Sequence, residues 1–426
     1  MKPRILWCNE CSVLKTGYAT YGNEVLRRMH STGKYTLGEH AIYIHEADPR
    51  IQNLPWTVYA NLPNASDEQQ MARYNSNPTN QFGDWRWEEV CCDFKPHIVM
   101  DIRDFWMMSH EYRSPYRPYY NWAIMPTVDA FPQNKEWLST YADADAVFTY
   151  QDWSLDILDY EGGGQINTLG TASPAADRAF KPMDKHSIKK QWGLENKRII
   201  GTVMRNQRRK LYPDLFASFR IFLNETGRND IILHCHTSYP DMGWRIPDYL
   251  LRYDLTSKVT FTYKCKDCGY AFVDFFHDII HLCPRCNNMA ASFVSVQDGL
   301  NNEELAQIYN MMDLYVQYAN SEGFGMPQLE AAACGVPVMA VDYSAMTDAV
   351  RKLKGQPLPL LGMAVELETG CFRAIPDNES FIQHMKNFFE LSPEEQVQHG
   401  RDTLGHTINI TVGMLQLKNG WTILIV

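Results

Sequence analysis

The 426-residue sequence predicts an α/β protein of two parallel-sheet domains, with a small cysteine-paired insertion in the second. Three observations lead there. Short apolar runs of strand length alternate with helical stretches through the first 170 residues. The alternation breaks in a polar, turn-rich segment and then restarts, as two separate parallel sheets require. Two C-x2-C pairs interrupt the second series.

The composition supports folded domains. Hydrophobic residues make up 45% and charged residues 21% of the chain, which is globular usage. The net charge of −10 argues against a nucleic-acid binder working through its overall field. Ile5-Leu6-Trp7 is too short an apolar run for a signal-peptide core. No stretch reaches the roughly 20 apolar residues of a membrane helix. Eleven cysteines, an odd number, suit a reducing compartment better than a disulfide framework. A cytoplasmic protein is expected.

In order along the chain, "PRILWC" (3–8) predicts a buried strand, followed by a loop at Gly17 and a helix over 19–30. Strands are predicted at 97–102, 120–128 and 146–151. Residues 171–197, with Pro174, Pro182 and Gly193, read as an interdomain linker. Strands follow at 198–205, 230–236, 257–263, 314–319 and 336–341, with a helix over 211–225. The expected domains are therefore 1–170 and 198–395, with an insertion at 263–287. Segment 396–426 is expected to pack back on the first domain. Two such halves imply a cleft between them, the usual place for a ligand.

The densest chemistry lies in "YANSEGFGMPQLEAAACGVPVMAVD". Gly323 and Gly325 permit positive φ and close approach of a ligand. Pro327 suits the first turn of a helix, and "PQLEAAACG" is a strong helix former that stops at Gly335. A glycine turn feeding free amides and a helix dipole makes an anion site suited to a pyrophosphate. Glu322 precedes the turn and Glu330 lies one turn inside the helix, so both face one ligand. Such carboxylates hydrogen-bond sugar or ribose hydroxyls. Taken alone they are also consistent with solvated helix-start charges, or with the acid and base of a hydrolase.

This stretch resembles family 4 of the retaining glycosyltransferases, whose E-x7-E spacing Glu322 and Glu330 reproduce. The resemblance extends to "GTVMRNQRRK" (201–210), "DRAFKP" (177–182) and "NNEELAQIYNMMDLYVQ" (301–317). It implies the GT-B fold, with two Rossmann-like domains facing a cleft. It also implies transfer of a sugar from a UDP- or GDP-sugar to a hydroxyl acceptor, with no divalent metal in catalysis. By that likeness Glu330 binds the donor ribose, and Glu322 contacts the transferred sugar with the Gly323, Phe324 and Gly325 backbone. Arg205 and Lys210 stabilise the departing diphosphate, and Gly17 lies near the phosphates. Asp129 in "MPTVDAFP" takes the place where relatives carry a histidine beside the donor sugar. Arg208 and Arg209 are read as surface charge, and "DAD" (143–145) as a helix end. Asp101 and Asp104 would line the cleft or cap a helix.

Cys265, Cys268, Cys283 and Cys286 have the C-x2-C-x14-C-x2-C spacing of a zinc ribbon, implying structural Zn²⁺ on four thiolates. His277 and His281 between the pairs are taken as bystanders, and Cys8 and Cys11 as buried or cleft-lining thiols. Lys264, Lys266 and Arg285 lie beside Phe272, Phe275 and Phe276, so the ribbon would grip a macromolecule or merely pin a loop. The acceptor is thus a glycan, a small molecule or DNA carrying a hydroxymethylated pyrimidine. The DNA reading draws on the aromatic-basic run 103–122. A further alternative is a non-catalytic, zinc-dependent binding protein on the same fold.

Overall fold

The computed structural model describes residues 2–295, 297–407, 413–416 and 422–425. The chain divides into two compact units. One is built on Met1–Pro174 with Glu368–Cys371; the other runs from Ala175 to Leu367 and resumes at Phe372.

The first unit holds a seven-stranded sheet of β1 (Arg4–Glu10), β2 (Thr36–His45), β3 (Thr57–Leu62), β4 (Ile98–Asp101), β5 (Asn121–Ile124), β6 (Ala146–Thr149) and β7 (Thr168–Thr171). Their order is β3-β2-β1-β4-β5-β6-β7, and every pairing is parallel. Parallel sheets are covered on both faces, which is why β1, β4 and β6 read as unbroken apolar runs. All four residues of β4 and of β6 are buried. The strand expected over 120–128 ends at Ile124, because Pro126 cannot donate to the ladder.

Strand β2 escaped the sequence reading because its centre is polar. Glu39 is fully buried, yet its carboxylate accepts from the Ser12 amide (2.6 Å), the Ser12 hydroxyl (2.9 Å) and the Trp56 indole (2.8 Å). Satisfied in this way, a buried carboxylate is tolerated in a central strand.

The second unit holds a nine-stranded sheet of β8 (Arg198–Val203), β9 (Ile231–His236), β10 (Val259–Cys265), β11 (Ala271–Phe275), β12 (Ile280–Leu282), β13 (Met289–Phe293), β14 (Leu314–Gln317), β15 (Val338–Val341) and β16 (Gln356–Leu358). The order is β12-β13-β10-β9-β8-β14-β15-β16, with β11 paired to β10. From β10 to β16 all pairings are parallel. The insertion is an antiparallel extension of that sheet. Strand β9 accompanies β10 as far as Phe261, and β13 takes over from Tyr263.

Within 171–197 the chain forms a helix at Lys185–Gln191, capped by Asp184. Helix Pro393–Thr407 packs on helix Met326–Ala333, where Gly400 meets the Gly335 carbonyl too closely for any side chain. Of the C-terminal segment 396–426, residues 408–412, 417–421 and 426 lie outside the described residues.

Candidate active site

Two loops at the ends of neighbouring strands assemble the site of the second unit. The loop after β8 and the loop after β14 zip together through their backbones. The Leu211 amide donates to the Tyr318 carbonyl (3.0 Å), and the Asn320 amide to the Arg209 carbonyl (2.9 Å). Residues 112 apart in sequence thereby meet, and the Lys210 ammonium forms an ion pair with Glu322. Arg209 closes on the other carboxylate oxygen at 2.7 Å and also donates to the Ser321 carbonyl at 2.9 Å. The Gln317 amide donates to Glu322 as well, while the Glu322 backbone N–H donates to the Ser344 hydroxyl (2.9 Å).

Glu322 and Lys210 are each only 5% exposed, so the pairing decides the charge state. Burial alone would raise the Glu322 carboxyl, but Arg209 and Lys210 outweigh it and hold it at about 2. Arg209 is thus a partner of the site, contrary to its reading as surface charge. Two further participants gave no sequence signal. Arg373 donates to the Ser321 hydroxyl (2.7 Å) and to Glu366 (2.6 Å). Ser344 sits at φ 53°, a conformation that costs a non-glycine residue energy and persists where surrounding contacts enforce it.

The glycine turn then leads into helix Met326–Ala333. Gly325 is its N-cap at φ 82°, and a Cβ there would lie 2.5 Å from the Gln328 side chain. The positive φ strains any other residue, and a Cβ would also force Gln328 to shift. Glu330 lies inside the helix, half-buried, and accepts from the Tyr309 hydroxyl at 2.6 Å. Tyr309 is delivered by helix Asn302–Asn310, which starts on a capping box between Asn301 and Glu304 (2.8 and 2.9 Å). Burial pushes the Glu330 carboxyl up to about 7, against the pull of the Tyr309 hydroxyl.

Arg205 makes a two-point pair with Asp241 (2.9 and 3.1 Å), and its side chain is 45% exposed.

In the first unit, Gly17 is not in a loop: it opens helix Gly17–Ser31, whose N-cap Thr16 accepts from the Ala19 amide (3.2 Å). Gly17 is exposed, and an added Cβ would meet nothing within 4 Å. The neighbouring Tyr18 hydroxyl donates to Asp104 (2.9 Å) and pairs with Thr127. Asp129 is half-buried in the loop beyond β5. Asp101 does not line any opening. It is fully buried and held by Arg103 through two bonds (2.8 and 2.6 Å), with Glu111 on the same guanidinium at 2.7 Å. Cys8 adjoins this group within 4.8 Å, but Arg103 already supplies the positive charge there. Cys11 is buried likewise.

The four insertion cysteines converge, their sulfurs within 4.8 Å of one another. Cys265 and Cys286 Sγ are 3.6 Å apart, as are those of Cys268 and Cys283. Each pair is followed by a residue at positive φ, Gly269 at 70° and Asn287 at 59°, the residue types that turn back most readily. Such a cluster can hold a metal ion.

Residues 292–397 match the family model described as glycosyl transferases group 1, a span that includes Glu322, the glycine turn and Glu330. The fold is GT-B. Among solved structures, sucrose-phosphate synthase from Thermosynechococcus elongatus superposes with a TM-score of 0.68 at 13% identity, covering 96% of this chain and 94% of that one. Anabaena HepE in complex with UDP-glucose gives 0.62 at 12%, covering 95% and 94%. WaaG, a glycosyltransferase involved in lipopolysaccharide biosynthesis, gives 0.62 at 9%, covering 95% of each chain. No curated protein sequence matches the chain. Among the described residues no helix is long and apolar enough to cross a membrane.

Proposed function

We propose that this protein is a retaining glycosyltransferase that moves a sugar from a UDP- or GDP-sugar to a hydroxyl acceptor. The observation that carries this is the ion cluster of Lys210, Arg209 and Glu322 at the glycine turn, inside the segment that matches the glycosyl transferases group 1 family. Two cations on one carboxylate that stays ionised leave net positive charge at a helix N-terminus. A diphosphate leaving group needs that field, already in place as its own charge develops. The UDP-glucose complex of a protein with the same fold supports a nucleotide-sugar donor.

Glu322 faces the transferred sugar and Glu330 the ribose hydroxyls, with the Gly323, Phe324 and Gly325 backbone beside them. Retention follows if the acceptor attacks the face that the leaving phosphate occupies, with that phosphate taking the acceptor proton. No divalent ion and no protein nucleophile is needed.

The acceptor we favour is a glycan or small molecule rather than DNA. The basic residues of 103–122 are committed within the protein: Arg103 to Asp101 and Glu111, Arg113 to Glu136 (3.0 Å), and Arg117 to Asp143 (2.8 Å). On the insertion, Lys264 pairs with Asp298 (2.8 Å), and Phe272 is buried.

The cysteine cluster is proposed as a structural zinc site. A tetrahedron with Zn–S arms of about 2.3 Å spaces its sulfurs about 3.8 Å apart. The 3.6 Å separations fit that, and are far beyond a disulfide.

Thermal unfolding with UDP and with GDP, in the presence of EDTA, tests the donor assignment. One of the two should raise the midpoint, and the matching nucleotide-sugar should be slowly hydrolysed. No shift with any nucleoside diphosphate, or a shift only with added Mg²⁺ or Mn²⁺, overturns it.

A further inference from the structure

The insertion carries a second convergence of ligand atoms, built from the two histidines taken as bystanders. Asp274 at the end of β11, His277 in the following loop and His281 in β12 each bring one donor atom within 4.8 Å of the others. His281 Nε2 lies 3.3 Å from one Asp274 oxygen, and His277 Nε2 lies 3.7 Å from the other. A divalent ion with nitrogen and oxygen arms of about 2.0–2.1 Å in a tetrahedron spaces its ligands about 3.3–3.4 Å apart. The 3.3 Å separation matches that spacing; the 3.7 Å one, to the other carboxylate oxygen, is longer, and the three donor atoms stay within 4.8 Å of one another.

The tautomer points the same way. His281 Nδ1 lies 2.8 Å from the Leu282 carbonyl, which can only accept, so Nδ1 carries the hydrogen. In the neutral ring Nε2 then presents a lone pair. That atom is buried and finds no hydrogen-bond partner among the described residues, although the Asp274 carboxylate stands in front of it. A lone pair facing a carboxylate is repulsive unless a cation lies between them. An imidazole that donates its other N–H to a backbone carbonyl is also the arrangement that orients metal-bound histidines. The ring packs against both Tyr263 (centroids 4.9 Å apart) and Phe272 (5.5 Å), so its direction is constrained before any ion arrives.

We propose that Asp274, His277 and His281 form a second metal site, separate from the four cysteines, for zinc or a similar borderline divalent ion. Two imidazoles and a carboxylate select such ions over magnesium or calcium. His277 is 61% exposed, so the site opens to solvent and leaves a coordination position for water. Three protein ligands with an open position hold their ion less permanently than four thiolates.

The experiment is metal analysis of the full chain, purified from zinc-containing medium and dialysed against chelator-free buffer. Wild type should hold about two equivalents of zinc, and Asp274→Asn and His277→Ala about one each, with far-UV circular dichroism unchanged. His281→Ala would empty the space between two rings, so the near-isosteric Asp274→Asn is the deciding variant. Cobalt titration gives an independent reading. The four-thiolate phase brings sulfur-to-cobalt charge-transfer absorption, and a second phase without it should be present in wild type and absent in Asp274→Asn. A wild-type content of about one equivalent, or a second equivalent that neither substitution removes, overturns the proposal. In that case a protonated His281 paired with Asp274 accounts for the geometry.

Discussion

Glu322 and Glu330 stand on the two sides of one glycine turn, and their surroundings drive them in opposite directions. Glu322 is the more deeply buried, yet it is held at about 2 because Lys210 and Arg209 close on it. Glu330 accepts from a tyrosine hydroxyl, and burial lifts it to about 7. Two identical side chains in one motif are thereby given different work. One is a permanent anion that tethers two cations, and the other titrates near neutrality. Burial alone does not set a carboxylate's charge; the partners that reach it do.

The largest expected effect comes from breaking the charged side. Lys210→Ala should lower sugar transfer by at least ~10²-fold while the protein stays folded, because on the proposed reading it removes a cation from the departing diphosphate. Steady-state rates beside a circular dichroism spectrum check this, and wild-type turnover would remove Lys210 from the donor site.

The uncharged side is sharpened by pH. A carboxylate that receives ribose hydroxyls must be ionised, so KM for the donor should fall as pH rises through about 7. Glu330→Gln should raise KM by roughly 10-fold at pH 8 and flatten the profile. Stability should run the other way. Between the ordinary value of 4.5 and about 7 the folded protein binds more protons at Glu330 than the unfolded chain, so its contribution falls as pH rises. At Glu322 the folded protein binds fewer protons between about 2 and 4.5, so its contribution is lost as pH falls. Unfolding midpoints of Glu330→Gln and Glu322→Gln against wild type should diverge in those separate windows.

The smallest effect is expected at Arg205. Its charge is already offset by Asp241 at an exposed position, so Arg205→Ala should cost less than ~10-fold in kcat/KM. A loss matching that of Lys210→Ala would show that Arg205 leaves Asp241 for the donor.

Much of this was legible in the sequence, and the reasons are local. Unbroken apolar runs reported β1, β8, β14 and β15, because parallel strands are buried on both faces. The turn at Gly325 was legible from glycine and Pro327, and the cysteine cluster from its spacing. Arg209, Ser344 and Arg373 were not, since each acquires its role from a backbone pairing or a strand far along the chain. Lys210 and Arg209 are adjacent and chemically alike, and only the zipping of two loops brings both onto Glu322. His281 gave no signal for a similar reason: Asp274 comes within 3.3 Å of it only once the insertion folds.

The way the insertion ends has a consequence for how the molecule behaves in a crowd of its own copies. Its outer strand β12 is three residues long and shifts register between His281 and Leu282. Ile280, Leu282 and Met289 around it are exposed and apolar, the composition that invites strands of different molecules to join. A ladder this brief and bent offers a neighbour almost no row of amides and carbonyls to match. The pair Cys283 and Cys286 lies directly between β12 and β13, so the sulfur cluster and this short edge belong to one structural unit.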